Sequence, residues 1–166
     1  MAKELYAEEL GHYWQTSQTS PDTWIEKARR EIASVGGAVT LDAFGSEPLS
    51  GRAAFVLEFT IAGDRFRLTW PVLRSKSGRE RAARIQAATL LYHDVKARCL
   101  SAKVLGARKA FFSYVLLPDG RAAGDAATPD VARLLPAMFG PQVPALPPGV
   151  VDGEVVDDHG RDRGNH

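Results

Sequence analysis

Arginine and lysine are the residues whose number and spacing in this chain suggest chemistry. Residues 51–110 contain 13 Lys and Arg against four Asp and Glu. The segments on either side, 1–50 and 111–166, each contain four basic and eight acidic residues, so the net charge of the chain is only +1. A basic block inside a near-neutral chain is typical of a surface that binds polyanions such as nucleic acid. The alternative is that these side chains lie on solvated faces and pair with acids from the two flanks.

The densest part of this block precedes and begins a predicted helix. Arg79, Arg81 and Arg84 would occupy its first two turns, where the helix dipole already places positive charge, at a cost of roughly 0.3–1 kcal/mol each. A phosphate group would relieve this repulsion and accept bonds from the N–H groups of the first turn. The residues predicted to bind nucleic acid are Arg65, Arg67, Arg74, Lys76, Arg79, Arg81, Arg84, Lys96 and Arg98.

Residues that could carry catalysis or hold a metal are few. The four histidines are His12, His93, His159 and His166. They form no helical pair with a carboxylate, and the chain has neither a CxxC pair nor a glycine-rich phosphate loop. The one cysteine, Cys99, falls among apolar neighbours in a predicted helix, as a structural thiol does. The sequence therefore predicts no catalytic residue, no metal site and no cofactor.

One short motif keeps a nuclease as the third alternative. Asp94-Val95-Lys96 matches the acid-x-Lys end of some metal-dependent nucleases. That motif requires a strand beside a second carboxylate, whereas here it falls in a predicted helix. Loss of a metal-dependent activity in Asp94→Ala would be the observation in its favour.

Length and composition place these residues in one ordinary domain. The chain has 166 residues and 18.0 kDa, with 45% hydrophobic and 25% charged residues, as expected of a soluble globular protein. No apolar run reaches the roughly 18 residues that a membrane span needs. The acidic start MAKELYAEEL lacks the layout of a signal peptide. We therefore expect a cytoplasmic protein with no membrane partner.

The first elements are a helix and a strand. Ser20 and Pro21 form a strong helix start, with Ser as N-cap and Pro at the first helical position. Apolar residues then follow at helical spacing until Gly36-Gly37 ends the helix. Residues 38–44 alternate Val39, Leu41 and Ala43 on one side, which predicts a strand.

The next two strands form a predicted hairpin. Residues 54–62 and 65–70 flank Gly63-Asp64, which favours a two-residue turn. This turn would pair Ile61 with Phe66, Phe59 with Leu68, and Leu57 with Trp70. All three pairs are apolar and share one face, so we expect that face to be buried and Arg65 and Arg67 to lie on the other.

A long helix follows the hairpin. Ser77 and Glu80 fit a capping box, which predicts a helix from about Gly78 to Leu105 that ends at Gly106. Residues 108–117 are ambiguous between strand and buried helix. Residues 118–120, Pro-Asp-Gly, predict a turn, and Thr128-Pro129 predicts a further helix to about residue 139.

Together these elements predict an α+β fold in the order α-β-β-β-α. It comprises an N-terminal helix, a three-stranded antiparallel sheet, a long central helix and a further C-terminal helix. We expect an N-terminal extension at 1–19, a single domain at 20–140, and a tail at 141–166 that is proline-rich and then disordered.

Several of these segments resemble a known family. The segments GDRFRLTWPVL, LYHDVKAR, VLLPDGRAAGD and LLPAMFG are similar to an uncharacterised family of small proteins from phage, prophage and metagenomic genomes, over about residues 20–140. The matching features are Trp70-Pro71, Val95-Lys96-Ala97-Arg98, Leu117–Arg121 and Pro136. The chain departs from the family at His93-Asp94, where relatives are apolar, and at 108–116, which lacks their Glu-rich run. The resemblance favours helix for 108–116 and a mobile-element DNA context, and it implies no catalytic residue.

The leading hypothesis is a non-catalytic nucleic-acid binding protein of a phage or mobile element. Its partner would be the phosphate backbone of DNA or RNA, with DNA favoured, and single-strand binding or annealing is one form of this function. The order of elements matches, in outline, both double-stranded-RNA-binding domains and single-strand annealing proteins, which is an analogy of fold alone. The alternative is an accessory or inhibitory interaction module that binds a protein partner through residues 141–166.

Overall fold

Helices and strands follow one another in the order predicted from the sequence. The structure, a computed structural model, describes residues 3–46 and 52–127. The helices are α1 (Ala7–Leu10), α2 (Pro21–Ser34), α3 (Glu80–Leu105), α4 (Ala107–Ala110) and α5 (Ala123–Ala126), with a 3₁₀ turn at Phe112–Tyr114. The strands are β1 (Ala38–Ser46), β2 (Ala53–Ile61) and β3 (Asp64–Pro71), and they form one antiparallel sheet in the order β1-β2-β3. This confirms the α+β class, the sheet and the long central helix.

Two predictions fall on residues that the structure does not describe. These are the C-terminal helix expected from Thr128 to about residue 139 and the proline-rich tail at 141–166. Within the described part, no helix is long and apolar enough to cross a membrane.

The start and end of α2 agree with the sequence signals. The Thr23 N–H donates to the Ser20 hydroxyl (3.4 Å), and Pro21 is the first helical residue. Gly37 follows the helix where a Cβ would come within 3.0 Å of Ile32 and Ile61. Only glycine allows α2 and β2 to approach this closely at that position.

The register of the hairpin differs from the prediction by two residues. Its turn is Ala62-Gly63 rather than Gly63-Asp64, and both residues have positive φ (52° and 84°), as a type I′ turn requires. The observed pairs are Ile61 with Asp64, Phe59 with Phe66, and Leu57 with Leu68. Because the shift is even, every side chain keeps its predicted face, and the inner face is buried as expected.

Strand β1 does not follow the predicted simple alternation. A bulge between Val39 and Leu41 shifts the register, so that Val39 lies opposite Phe59 but Leu41 lies opposite Glu58 on the outer face. Leu41 and Ala43 are therefore exposed rather than sharing the side of Val39.

The core lies between the inner face of the sheet and the helices. The side chains of Phe59, Phe66 and Phe111 contact one another with ring centroids 5.2–5.6 Å apart, and all three are at most 1% exposed. The helices contribute Ala28, Ile32, Leu91 and Val95, which are fully buried. Removing one such phenylalanine ring typically costs about 3–5 kcal/mol, so this cluster holds the sheet against the segment that follows α4.

The segment that the sequence left ambiguous combines both alternatives. Residues 107–114 form short helical turns, in agreement with the helix that the family resemblance favoured. Val115 and Leu116 then form bridges to Phe66 and Ala122, and the Leu116 N–H donates to the Arg65 carbonyl (2.8 Å). The predicted turn at 118–120 is present, since the Gly120 N–H donates to the Leu117 carbonyl (2.9 Å).

Candidate nucleic-acid interface

The long helix begins two residues later than predicted, and without a side-chain cap. Helix α3 starts at Glu80, and its N-cap residue, Arg79, forms no capping hydrogen bond. The predicted capping box is wrong because the Ser77 hydroxyl donates to Glu8 (2.8 Å) instead. The Ser75 hydroxyl accepts a bond from the Arg79 N–H (3.0 Å), one position before the helix.

The backbone of the helix start, defined as residues 79–82, therefore has unused donors. The first intrahelical bond at this end joins the Ala83 N–H to the Arg79 carbonyl (3.1 Å). No acceptor from the described residues bonds the N–H groups of Glu80, Arg81 or Ala82. These three donors lie at the positive end of the dipole of a 26-residue helix, an arrangement that favours an anion.

The helix start opens onto a cleft of about 810 Å³. It is lined by Gln15, Ser17, Gln18 and residues 78–82 and 85. Arg79 and Arg81 are exposed here, and neither pairs with a carboxylate in the part of the chain that the structure describes. Glu80 is the one acidic residue of the lining, so the cleft carries an excess of positive charge.

Arg84 lies one turn further along α3. Its guanidinium lies over the ring of Phe44 in β1, 4.2 Å from the ring centroid. This stacking fixes the side chain while leaving its charge without a carboxylate partner among the described residues.

The approach loop, defined as residues 72–78, differs from the helix start because acidic residues of the N-terminal segment cover it. Glu4 pairs with Arg74 (3.7 Å), and Glu9 pairs with Lys76 (2.7 Å). The Glu9–Lys76 hydrogen bond lowers the pKa of the Glu9 carboxyl and raises that of Lys76. The flanking acids therefore neutralise part of the basic block, as the alternative interpretation of the sequence allowed.

Glu8 is the centre of this cover. Its carboxylate accepts four hydrogen bonds, from the hydroxyls of Ser75 and Ser77 and from the N–H groups of Lys76 and Ser77 (2.6–3.1 Å). These bonds, the one from the Ser75 hydroxyl above all, lower the pKa of Glu8 to about 2. The Ala7 N–H also donates to the Arg74 carbonyl (2.9 Å), so the first residues of the chain are joined to the approach loop.

The two predicted arginines of the hairpin lie elsewhere. Arg65 and Arg67 are on the outer face of the sheet, and Arg65 lies six residues before Pro71, roughly 20 Å along β3. Arg67 pairs with Glu58 (2.6 Å) and donates to the Gly120 carbonyl (3.0 Å). The structure does not bring these residues to the helix start.

The two predicted residues in the second half of α3 are also distant from its start. Lys96 lies 16 residues after Glu80, about 24 Å along the helix axis. Arg98 pairs with Asp94 (2.8 Å), donates to the Ala110 carbonyl (3.0 Å) and lies over the ring of Tyr114. Five of the nine predicted residues (Arg74, Lys76, Arg79, Arg81 and Arg84) thus cluster at the beginning of α3.

An aromatic cluster is the feature that the sequence interpretation missed. Tyr13 and His93 stack with ring centroids 5.0 Å apart and an interplanar angle of 7°. Trp24 and Tyr92 contact each other (5.2 Å) and the ring of His93. Trp24 and Tyr92 are partly exposed. The cluster combines residues from three separate segments of the chain, so no local sequence pattern predicts it.

The remaining candidates for catalysis, Cys99 and Asp94, are buried or hydrogen-bonded within the fold. Burial raises the pKa of the Cys99 thiol to about 11, as expected of a structural thiol. Asp94 is bonded by Arg98 and by the Tyr114 hydroxyl (3.1 Å), and burial raises the pKa of Tyr114 to about 12. The described residues include no group of three or more His, Cys, Asp or Glu side chains that could hold a metal.

Comparisons with family models, with curated proteins and with solved structures found no match. The resemblance to a phage-associated family therefore stays a prediction from the sequence.

Proposed function

We propose that this protein binds nucleic acid, with DNA as the favoured partner, by holding backbone phosphates at the start of α3. One observation carries the proposal: the unbonded N–H groups of Glu80, Arg81 and Ala82 lie beside two arginines that lack carboxylate partners, in an open cleft. A phosphate fits this arrangement because it accepts backbone N–H bonds and neutralises positive charge at a helix N-terminus.

The energetics of the helix start favour the same partner. Arg79 and Arg81 repel the positive end of the α3 dipole, at a cost of roughly 0.3–1 kcal/mol each. The first turn of α3 has one acid, Glu80, as that of α2 has Asp22, but in α3 an arginine lies on each side of it. A bound phosphate turns this unfavourable placement into an attraction.

The proposal uses a subset of the predicted residues. Arg79 and Arg81 would contact phosphates directly, and Arg84 would contribute from the next turn. Arg74 and Lys76 are already engaged by Glu4 and Glu9, so they would add little unless those pairs open. No catalytic role is included. The alternative of a protein partner depends on residues 141–166, which lie outside the described part of the chain.

A salt titration of oligonucleotide binding tests the proposal. We expect binding of a labelled single strand at low salt, with an affinity that falls as salt increases because counterions are released at each phosphate contact. In Arg79→Ala/Arg81→Ala/Arg84→Ala the slope of log K against log salt should be lower by about 2, at roughly 0.7 per contact on a single strand.

The matched control removes three exposed basic residues from other surfaces, in Arg30→Ala/Lys103→Ala/Lys109→Ala. Both variants lose three positive charges, so an effect of net charge alone would appear equally in both. The proposal fails if the wild-type chain binds no nucleic acid at low salt, or if the two triple variants behave alike.

A further inference from the structure

The aromatic cluster has an exposed end that ordinary core packing does not explain. The side chain of Tyr13 is 38% exposed, and His93, against which it stacks, is exposed as well. Among the described residues His93 is the one aromatic ring that Tyr13 contacts, and the 38% exposure of Tyr13 leaves part of its side chain accessible to a further planar group. Successive nucleobases stack on exposed aromatic rings of this kind.

Two lysines without carboxylate partners flank the cluster. The Lys27 Nζ lies 4.2 Å from the centroid of the Trp24 ring, and the Lys96 Nζ lies 5.9 Å from that of Tyr92. Neither lysine forms an ion pair with any residue that the structure describes. A combination of rings and unpaired cations suits a single strand, whose bases and phosphates are both accessible.

The backbone holds Tyr13 in an unusual conformation. Tyr13 and Gln15 have φ values of 57° and 56°, in the left-handed region that residues other than glycine rarely adopt. The buried side chain of Gln86 donates to the carbonyls of Ala7 and His12 (3.0 and 2.9 Å) and so fixes this loop on α3. Strained conformations that neighbouring structure holds in place are concentrated at ligand-binding sites.

The cluster and the helix start belong to one continuous surface. Gln15, Ser17 and Gln18, which follow Tyr13 closely in the chain, line the cleft beside Arg79 and Arg81. Tyr92 lies 11 residues after Arg81, which is three turns and about 16 Å along the same face of α3.

We propose that the nucleic acid held at α3 is single-stranded, and that one of its bases stacks on the outer face of Tyr13 and extends the Tyr13–His93 stack. The phosphates on one side of this base reach Arg79 and Arg81, and those on the other side reach Lys96. This inference rests on the proposed function, because it specifies the strand that the helix start holds. It also assigns a binding role to Tyr13 and His93, which the sequence interpretation did not.

The test compares three labelled probes of equal length, about 15 nucleotides each: oligothymidylate, a strand of abasic sites and a duplex. The abasic strand keeps the phosphates but offers nothing to stack. We expect the wild-type chain to bind oligothymidylate about tenfold more tightly than the abasic strand, since one stacked base contributes on that order. Tyr13→Ala should remove this preference and leave the affinity for the abasic strand unchanged.

Two further variants separate stacking from folding. Tyr13→Phe keeps the ring and should retain the preference, whereas Tyr13→Leu fills similar space without an aromatic face and should lose it. Phe112→Ala is the matched control, since Phe112 is 39% exposed and lies beyond the other end of α3.

The failures of the two proposals look different. Equal binding of the base-containing and abasic strands by the wild-type chain, tighter binding of the duplex, or a preference that survives Tyr13→Leu would each overturn the single-strand inference while leaving phosphate binding at the helix start intact. The absence of binding to all three probes at low salt would overturn both.

Discussion

Two neighbouring regions of the basic block have opposite electrostatic surroundings. In the approach loop, Arg74 and Lys76 pair with Glu4 and Glu9, and Glu8 accepts bonds from the backbone and hydroxyls between them. At the helix start, which directly follows the loop, Arg79 and Arg81 have no such partner among the described residues. The same kind of residue is thus engaged within the fold in one region and left open in the other.

The difference shows that the number of basic residues in a segment of sequence does not give the net positive charge of the surface that the segment forms. Residues 51–110 carry a large excess of positive charge, but the N-terminal acids cancel part of it in space. The acids leave the helix start uncovered, and there the helix dipole and the unbonded N–H groups add to the positive potential. The candidate site is therefore confined to the helix start, whereas the basic block in the sequence extends over residues 51–110.

The largest expected effect separates the two regions by mutation. Arg79→Ala/Arg81→Ala should weaken binding of a single strand by about 25-fold at 0.1 M salt, since each phosphate contact contributes about 0.7 of a decade there. Arg74→Ala/Lys76→Ala removes the same charge but should change the affinity by less than about threefold, because those cations are already paired. Fluorescence anisotropy measures both constants, and equal losses would remove the distinction between the regions.

A smaller effect is expected from uncovering the approach loop. In Glu9→Gln, Lys76 loses its partner at 2.7 Å and becomes available to a phosphate. The affinity for a single strand should rise by up to about fivefold, the contribution of one added contact. Glu26→Gln, which releases Arg30 on α2 while Arg29 keeps its pair with Asp42, is the matched control and should change nothing. No gain in Glu9→Gln would mean that the loop is not next to the bound strand.

The smallest expected effect is a change in stability at low pH, and it involves only the approach loop. The pKa of Glu8 is lowered to about 2 by its bonds to Ser75 and Ser77, so its contribution to stability is present above its ordinary pKa of 4.5 and is lost as the pH falls from there toward 2. Glu8→Gln should lower the melting temperature at pH 7, and its difference from the wild type should shrink as the pH falls through this range.

Thermal unfolding from pH 7 to pH 2 measures this difference, with Glu31→Gln as the control, since its carboxyl takes no part in the cover. A constant difference between Glu8→Gln and the wild type across the range would contradict the assigned role of Glu8.

Local patterns predict the elements of this fold well. The Ser20 cap, the end of α3 at Gly106 and the buried face of the hairpin all depend on residues close in sequence, and each is present. The predicted register of the hairpin is wrong because the turn lies one residue earlier than Gly63-Asp64, and its first residue, Ala62, has a positive φ (52°) that local preferences do not favour for alanine. Because the observed register differs from the predicted one by two residues, an even number, each side chain still lies on its predicted face of the sheet.

Long-range contacts account for what the sequence does not predict. Ser77 fits a capping box by local rules, but Glu8, 69 residues earlier, binds its hydroxyl. The bulge in β1 depends on how that strand pairs with β2. The aromatic cluster likewise joins side chains from positions 13, 24 and 92–93, which only the packing of the N-terminal segment and α2 on α3 brings together.

Amide chemical shifts would show whether phosphates bind at the uncovered start of α3. A two-dimensional ¹H–¹⁵N spectrum of the full chain would be titrated with oligothymidylate at low salt. We expect the largest shifts at the N–H groups of Glu80, Arg81 and Ala82, with much smaller ones at Lys76 and Ser77, whose amides already bond to Glu8. Largest shifts on the outer face of the sheet, around Arg65 and Arg67, or no shifts at all, would contradict it.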